Sequence, residues 1–204
     1  INFLIRELEK FPKVAILSDE IYSKIIFDEK EMPSLLRYEG LSDRLIVLDG
    51  LSETYSMTGW RLGWSVWPES LIEYATKFCI NDHSCPNAAT QIAGIEALKG
   101  PQDSIISMVK EFQLRRDFIF KELNSISNIS SNLPKGAFYT FPNISGTSLS
   151  GDEFADKLLD EKGVVVIPGS SFGNQGVNYV RISFANSLEN IKQAMVRIKQ
   201  FVSG

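Results

Sequence analysis

The chain has 204 residues, 44% hydrophobic and 23% charged, the balance of an ordinary globular protein with room for one large domain or two modest ones. Its formal net charge of −4 leaves no basic footprint for nucleic acid or an anionic membrane. Two cysteines, Cys79 and Cys85, and the single histidine, His83, make neither a zinc-ligand set nor a disulfide framework, so a cytoplasmic setting is expected.

The first residues read as a chain entered in mid-helix, with Phe3, Leu4 and Leu8 on one side and Arg6, Glu7, Glu9 and Lys10 mostly opposite. With no initiator methionine, a truncated start is expected. Nothing there resembles a signal peptide, and no later stretch has the length of a membrane span. Three short apolar runs follow: Val14-Ala15-Ile16-Leu17, Leu45-Ile46-Val47-Leu48, and residues 61–67, which end at Pro68. Such near-continuous runs predict sheet strands buried on both faces. Helix is expected over residues 69–80 and again after Pro86.

Between Pro101 and Ile126, apolar Ile105, Val109, Phe112, Ile119, Leu123 and Ile126 recur at helical spacing, predicting a long amphipathic helix between two domains. Beyond Asn128 the pattern becomes α+β. Residues 137–141, 164–167 and 179–184 are strand candidates. Ser150 and Glu153 form a capping box for a helix that Gly163 can close, and Asn186 with Glu189 introduces a last helix over residues 187–202. The predicted organisation is therefore an α/β domain (residues 1–100) with a mostly parallel sheet, a linking helix (101–128), and a small α+β domain (129–204).

Two segments carry the chemistry. Ser18-Asp19-Glu20-Ile21-Tyr22 follows a predicted strand, where ligands of open α/β sheets lie. Taken alone it reads rather as a loop with two solvated acids and a partly buried tyrosine. The second segment, Asp49-Gly-Leu-Ser-Glu-Thr-Tyr-Ser-Met-Thr-Gly-Trp-Arg-Leu-Gly-Trp64, resembles the cofactor-lysine signature of class I/II aminotransferases, which are fold-type-I enzymes dependent on pyridoxal 5′-phosphate. The resemblance continues through Pro134-Lys-Gly-Ala-Phe-Tyr-Thr-Phe-Pro142, Gly163-Val-Val-Val-Ile-Pro-Gly-Ser-Ser-Phe-Gly173 and Tyr179-Val-Arg-Ile-Ser-Phe-Ala185, and so covers essentially the whole chain as the carboxyl-terminal half of such an enzyme.

The resemblance implies a role for each matching residue. Asp19 would face the pyridine nitrogen as a buried carboxylate, keeping the ring an electron sink. Tyr22 would hydrogen-bond the cofactor's phenolic oxygen. Arg61 would hold the phosphate, with Ser52 adding a hydroxyl, although the serine some members carry three residues before the lysine is Gly50 here. Arg181 would clamp the α-carboxylate of an amino-acid substrate; outside this context it would read as a strand arginine in a surface ion pair. The implied partners are an amino acid, a 2-oxo acid and a second copy of the chain. His83, Trp60 and Trp64 receive no catalytic role, and residues 84–87 fall where the family approaches its dimer interface.

One position departs from the pattern: the family's Schiff-base lysine falls on Glu53. Glutamate has no amine to link the cofactor and would be a short, wrongly charged replacement for the lysine as proton carrier. The chain is therefore expected to be inactive in transfer and to hold the cofactor weakly or not at all. The family's amino-terminal half, with the rest of the phosphate site, is also missing from this sequence, which should leave strand edges and apolar faces uncovered. Two other readings share these residues: a pyridoxal-phosphate lyase or synthase of the same fold, and a non-catalytic ligand-sensing domain.

Overall fold

The computed structural model describes residues 1–204, which separate into two compact units, Ile1–Ile106 and Ser107–Gly204. The first unit opens with helix α1 (Asn2–Glu9) and holds a three-stranded sheet ordered β1 (Ile16–Asp19), β2 (Leu45–Gly50), β3 (Gly63–Val66). β1 and β2 are parallel and β3 is antiparallel to β2, so the sheet is less parallel than predicted. Helices α2 (Glu69–His83) and α3 (Ala88–Lys99) follow.

Burial in this unit is one-sided. Ile5 of α1 packs with Leu35, Leu41, Leu45 and Val47 in a small core that covers β2. β1 alternates between half-buried and exposed residues, every residue of β3 is exposed, and α2 buries none of its own. The expectation of strands buried on both faces therefore fails for β1 and β3. Both are edge strands with no partner on the outer side, and of β1 only Ile16 packs against that small core.

The second unit is built on the long helix α4 (Asp103–Leu123), which begins four residues before the division between units. Its predicted stripe is buried at Ile119 and Leu123 and continues to Ile126. Ile105, Val109 and Phe112 are only half-buried. A charge sits in the stripe as well: Arg116 is 2% exposed. Its Nε and Nη2 donate to the Asp117 carboxylate at 2.8 and 2.6 Å, and its Nη1 donates to the Pro134 carbonyl at 3.2 Å. Arg116 thus fixes the start of the strand-leading loop to α4. Truncating Arg116→Ala leaves that carbonyl short of a donor and opens a cavity, so we expect a loss of about 2–4 kcal/mol in urea unfolding.

The second sheet is ordered β4 (Tyr139–Thr140), β6 (Val180–Ser183), β5 (Ile167–Pro168), with β6 antiparallel to both neighbours. Helix α5 (Gly151–Lys162) forms the reciprocal capping box of Ser150 and Glu153 and ends on Gly163 in the left-handed region, as its sequence predicts. Helix α6 (Leu188–Ser203) is capped one residue later than predicted. The Ser187 hydroxyl accepts from Asn190 N–H, while the Asn186 side chain receives the Ser187 N–H instead. Of the apolar run at residues 164–167, only Ile167 joins the ladder. Val164 and Val166 are buried and Val165 exposed, an alternation proper to a strand but without a partner strand. No helix of the protein is long and apolar enough to cross a membrane.

Candidate active site

The pairing that sets Asp19 opposite Leu48 and Gly50 opposite Gly63 brings the carboxyl ends of β1 and β2 and the start of β3 to one end of the sheet. The chain between Gly50 and Gly63 folds tightly there. Leu51 is fully buried, Tyr55 N–H bonds the Leu51 carbonyl at 3.1 Å, Met57 N–H bonds that of Ser52 at 3.0 Å, and Leu51 N–H closes on Leu62 at 3.1 Å. The Tyr55 hydroxyl donates to Gln102 Oε1 at 3.2 Å, and the Gln102 amide donates to the carbonyls of Ala97 and Gly100. Tyr55 thereby anchors this loop to the end of α3. Sequence reading assigned no part to this anchor, since neither residue type signals a site.

A cavity of about 260 Å3 opens in this loop, lined by Asp49, Ser52 and Arg61 with the apolar sides of Ile21 and Leu62. Arg61 is exposed, and its backbone stands in the left-handed region at φ 55°, a conformation that costs a non-glycine residue about 1 kcal/mol or more and concentrates at functional sites. Its Nη1 donates to the Thr58 carbonyl at 2.9 Å, which aims the guanidinium from a fixed base. Asp19, Tyr22 and Glu53 do not line the cavity, though all three lie at the same end of the sheet. Asp19 is exposed rather than buried, because β1 is an edge strand, and its carboxylate accepts Ile21 N–H at 3.2 Å. The buried acid is its neighbour Glu20, which accepts Leu35 N–H at 3.0 Å and the Ser18 hydroxyl at 3.2 Å. Tyr22, Ser52 and Glu53 are half-buried.

Asp49 was missed as a site residue, although an acid closing an apolar strand just before glycine could have suggested it. Its carboxylate accepts the Ser23 hydroxyl at 3.0 Å and Gly50 N–H at 2.7 Å. Burial nonetheless raises its pKa above the ordinary 3.8, helped by the negative charge of Glu20 and opposed by those two hydrogen bonds and Lys24. The folded state thus binds the Asp49 proton more tightly than the unfolded chain does. Ionised Asp49 costs stability at neutral pH, and that cost recedes as pH falls through the raised pKa towards 3.8. We expect the stability of the native chain relative to Asp49→Asn to rise over that interval in pH-dependent urea unfolding, and to be flat above it.

Arg181 lies in the other unit, at the centre of β6 opposite Ile167. It is half-buried, and no side-chain hydrogen bond or carboxylate partner engages its guanidinium, so the surface ion pair it would make outside the family context is not formed. Aromatic rings flank it instead, with Tyr139 and Phe172 centroids at 4.5 and 4.7 Å.

The profile of the family described as aminotransferase class I and II matches residues 4–198. The chain belongs to that family. It is 40% identical over 195 residues to an aspartate aminotransferase of Pyrococcus horikoshii, covering 94% of this chain and 49% of the relative. It is 38% identical over 187 residues to aromatic-amino-acid aminotransferase 2 of Thermococcus litoralis, covering 91% and 48%. Among solved structures, the aspartate aminotransferase of Rhizobium meliloti superposes with a TM-score of 0.92 at 34% identity, covering 98% of this chain and 52% of that one. The fold is thus that of the pyridoxal-phosphate-dependent transferases, and the chain spans about half the length of the curated relatives it matches.

Pyridoxal phosphate is the cofactor of this aminotransferase family. The residues of the chain suit it in part. Arg61 and Ser52 share a cavity and offer the donors a phosphate dianion takes, with Asp19 at the same end of the sheet. They do not suit a covalent link through residue 53, since a glutamate carboxylate cannot condense with an aldehyde.

Proposed function

We propose that the chain is the cofactor-recognising and substrate-recognising half of a pyridoxal-phosphate-dependent aminotransferase, with Glu53 standing where the linking lysine belongs. The observation that carries this reading is the loop between Gly50 and Gly63, which sets Ser52 and Arg61 around one cavity in a segment that closely resembles the family signature but carries Glu53 at the lysine and Gly50 at the serine of some members. When bound, the cofactor supplies the electron sink for moving an amino group between an amino acid and a 2-oxo acid. The protein supplies position. Arg61 and Ser52 hold the phosphate, Asp19 faces the ring nitrogen, Tyr22 faces the phenolic oxygen, and Arg181 takes the substrate carboxylate bidentately. Residues 1–100 serve as the cofactor-binding domain, 101–128 as the connecting helix and 129–204 as the small domain. The working form is a homodimer, and the free thiols of Cys79 and Cys85 suit a cytoplasmic setting.

With Glu53 in place, no residue at that position can take up and return the substrate proton as an amine does, so the chain does not transfer amino groups at a useful rate. The test is product analysis on Glu53→Lys, with the chain joined to the half of the Pyrococcus horikoshii relative that it does not span. Release of a 2-oxo acid with the amine recovered on an added oxo acid supports transfer. Elimination products would establish the lyase reading in its place. The relatives' names divide between aspartate and aromatic amino acids at nearly equal identity, so the donor side chain is to be read from the same assay.

A further inference from the structure

Arg181 is held in an aromatic slot rather than an ionic one. Tyr139 lies opposite Ser183, two residues along β6 from Arg181 and on the same face of the sheet, with its ring centroid 4.5 Å from the guanidinium carbon. Phe172 lies 4.7 Å away. Each ring is itself fixed. Tyr139 packs against Phe138 at 4.8 Å, and Phe138 against Phe112 of α4 at 5.4 Å. Phe172 meets Phe141 edge-on at 6.0 Å, and Phe141 stacks on Tyr179 at 5.2 Å.

The loop carrying Phe172 is closed at its base by a backbone contact. A Cβ on Gly176 would lie 2.0 Å from the Gly169 oxygen, and Gly169 N–H bonds the Tyr179 carbonyl at 2.8 Å. Yet Phe172 is 53% exposed, so core packing does not explain its position.

We propose that Phe172, with Tyr139, is a positioning residue for carboxylate recognition. Both rings pack on the guanidinium of Arg181, and in this proposal they bracket it so that its N–H groups stay available to a planar carboxylate. Resting on the reading of Arg181 as the substrate-carboxylate ligand, this deepens it: affinity comes from an arginine already immobilised and partly stripped of water, not from the charge alone. The bracket also accounts for an arginine at mid-strand without an ionic partner.

The experiment follows the Arg181 side-chain resonances of the full chain by NMR, assigned through Arg181→Lys, with acetate as the probe. Before any ligand is added, the ring currents of two facing aromatics should displace the Arg181 side-chain protons upfield, and Phe172→Leu should relax them. Acetate should then shift the Nε–H signal saturably, about fivefold more weakly in Phe172→Leu and with near-native affinity in Phe172→Tyr, which keeps the ring. Because Phe172 is exposed, both variants should fold. Unchanged ring-current shifts or native acetate affinity in Phe172→Leu would overturn the bracket while leaving Arg181 as a carboxylate ligand. A native Arg181 signal blind to acetate would sink the carboxylate reading, and the bracket's role with it.

Discussion

Glu53→Lys, in the chain completed by the relative's other half, is expected to raise amino-group transfer by about a thousandfold or more over the Glu53 form, the scale set by losing a positioned proton carrier together with the covalent anchor. The site around residue 53 is otherwise furnished for it. The loop is pinned by Leu51, by the Tyr55–Gln102 hydrogen bond and by the turn that aims Arg61, and position 53 is half-buried, not crowded out by the core. Lysine is longer than glutamate and needs no backbone change, so the variant should fold as the native chain does. Initial rates of 2-oxo acid formation in the two forms measure the effect. Equal rates would remove Glu53 as the cause of the proposed loss of transfer.

Gly176→Ala should have the largest effect on stability. The added Cβ would stand 2.0 Å from the carbonyl oxygen of Gly169 and 2.4 Å from its carbon. Both are backbone atoms, and no rotamer change can relieve the clash. The loop from Gly169 to Gly176 has to open, losing the Gly169–Tyr179 hydrogen bond and the seat of Phe172. The expected loss is about 3 kcal/mol or more from the second unit. Hydrogen exchange of the amides in β5 and β6 measures it, with Gly40→Ala as a control whose new Cβ meets nothing within 4 Å. Near-native protection in Gly176→Ala would mean that the loop is free to open, and would remove the rigid base proposed for Phe172.

The sequence made the local structure legible wherever a side chain and its own backbone settle the matter. Ser150, Glu153 and Gly163 delimit α5 because a capping box and a left-handed glycine act within one turn. It failed where tertiary partners decide. Val164 to Val166 have the alternation of a strand, but a ladder needs a neighbour, and only Ile167 and Pro168 find one. Arg116 is buried within the apolar stripe, where Asp117 and the Pro134 carbonyl take up its guanidinium, which no residue spacing signals. Asp19 was expected to be buried by analogy, and lies exposed at the end of an edge strand. The face of β3 is bare as well.

For the site, the motif identified the family and aligned Ser52, Glu53 and Arg61. It said nothing of Asp49 or of the Tyr55 anchor, because their importance comes from burial and from partners distant in sequence. The aromatic setting of Arg181 was equally hidden, since its two rings arrive from β4 and from the loop after β5.

In the proposed function residue 53 is the linkage position, and glutamate there prevents linkage. Borohydride reduction in the presence of pyridoxal phosphate, followed by peptide mapping of the native and Glu53→Lys chains, tests it most directly. A stable cofactor adduct should form on residue 53 of the variant, and no adduct on the segment from Ser52 to Arg61 of the native chain. A variant labelled only at other lysines, with residue 53 untouched, would contradict it.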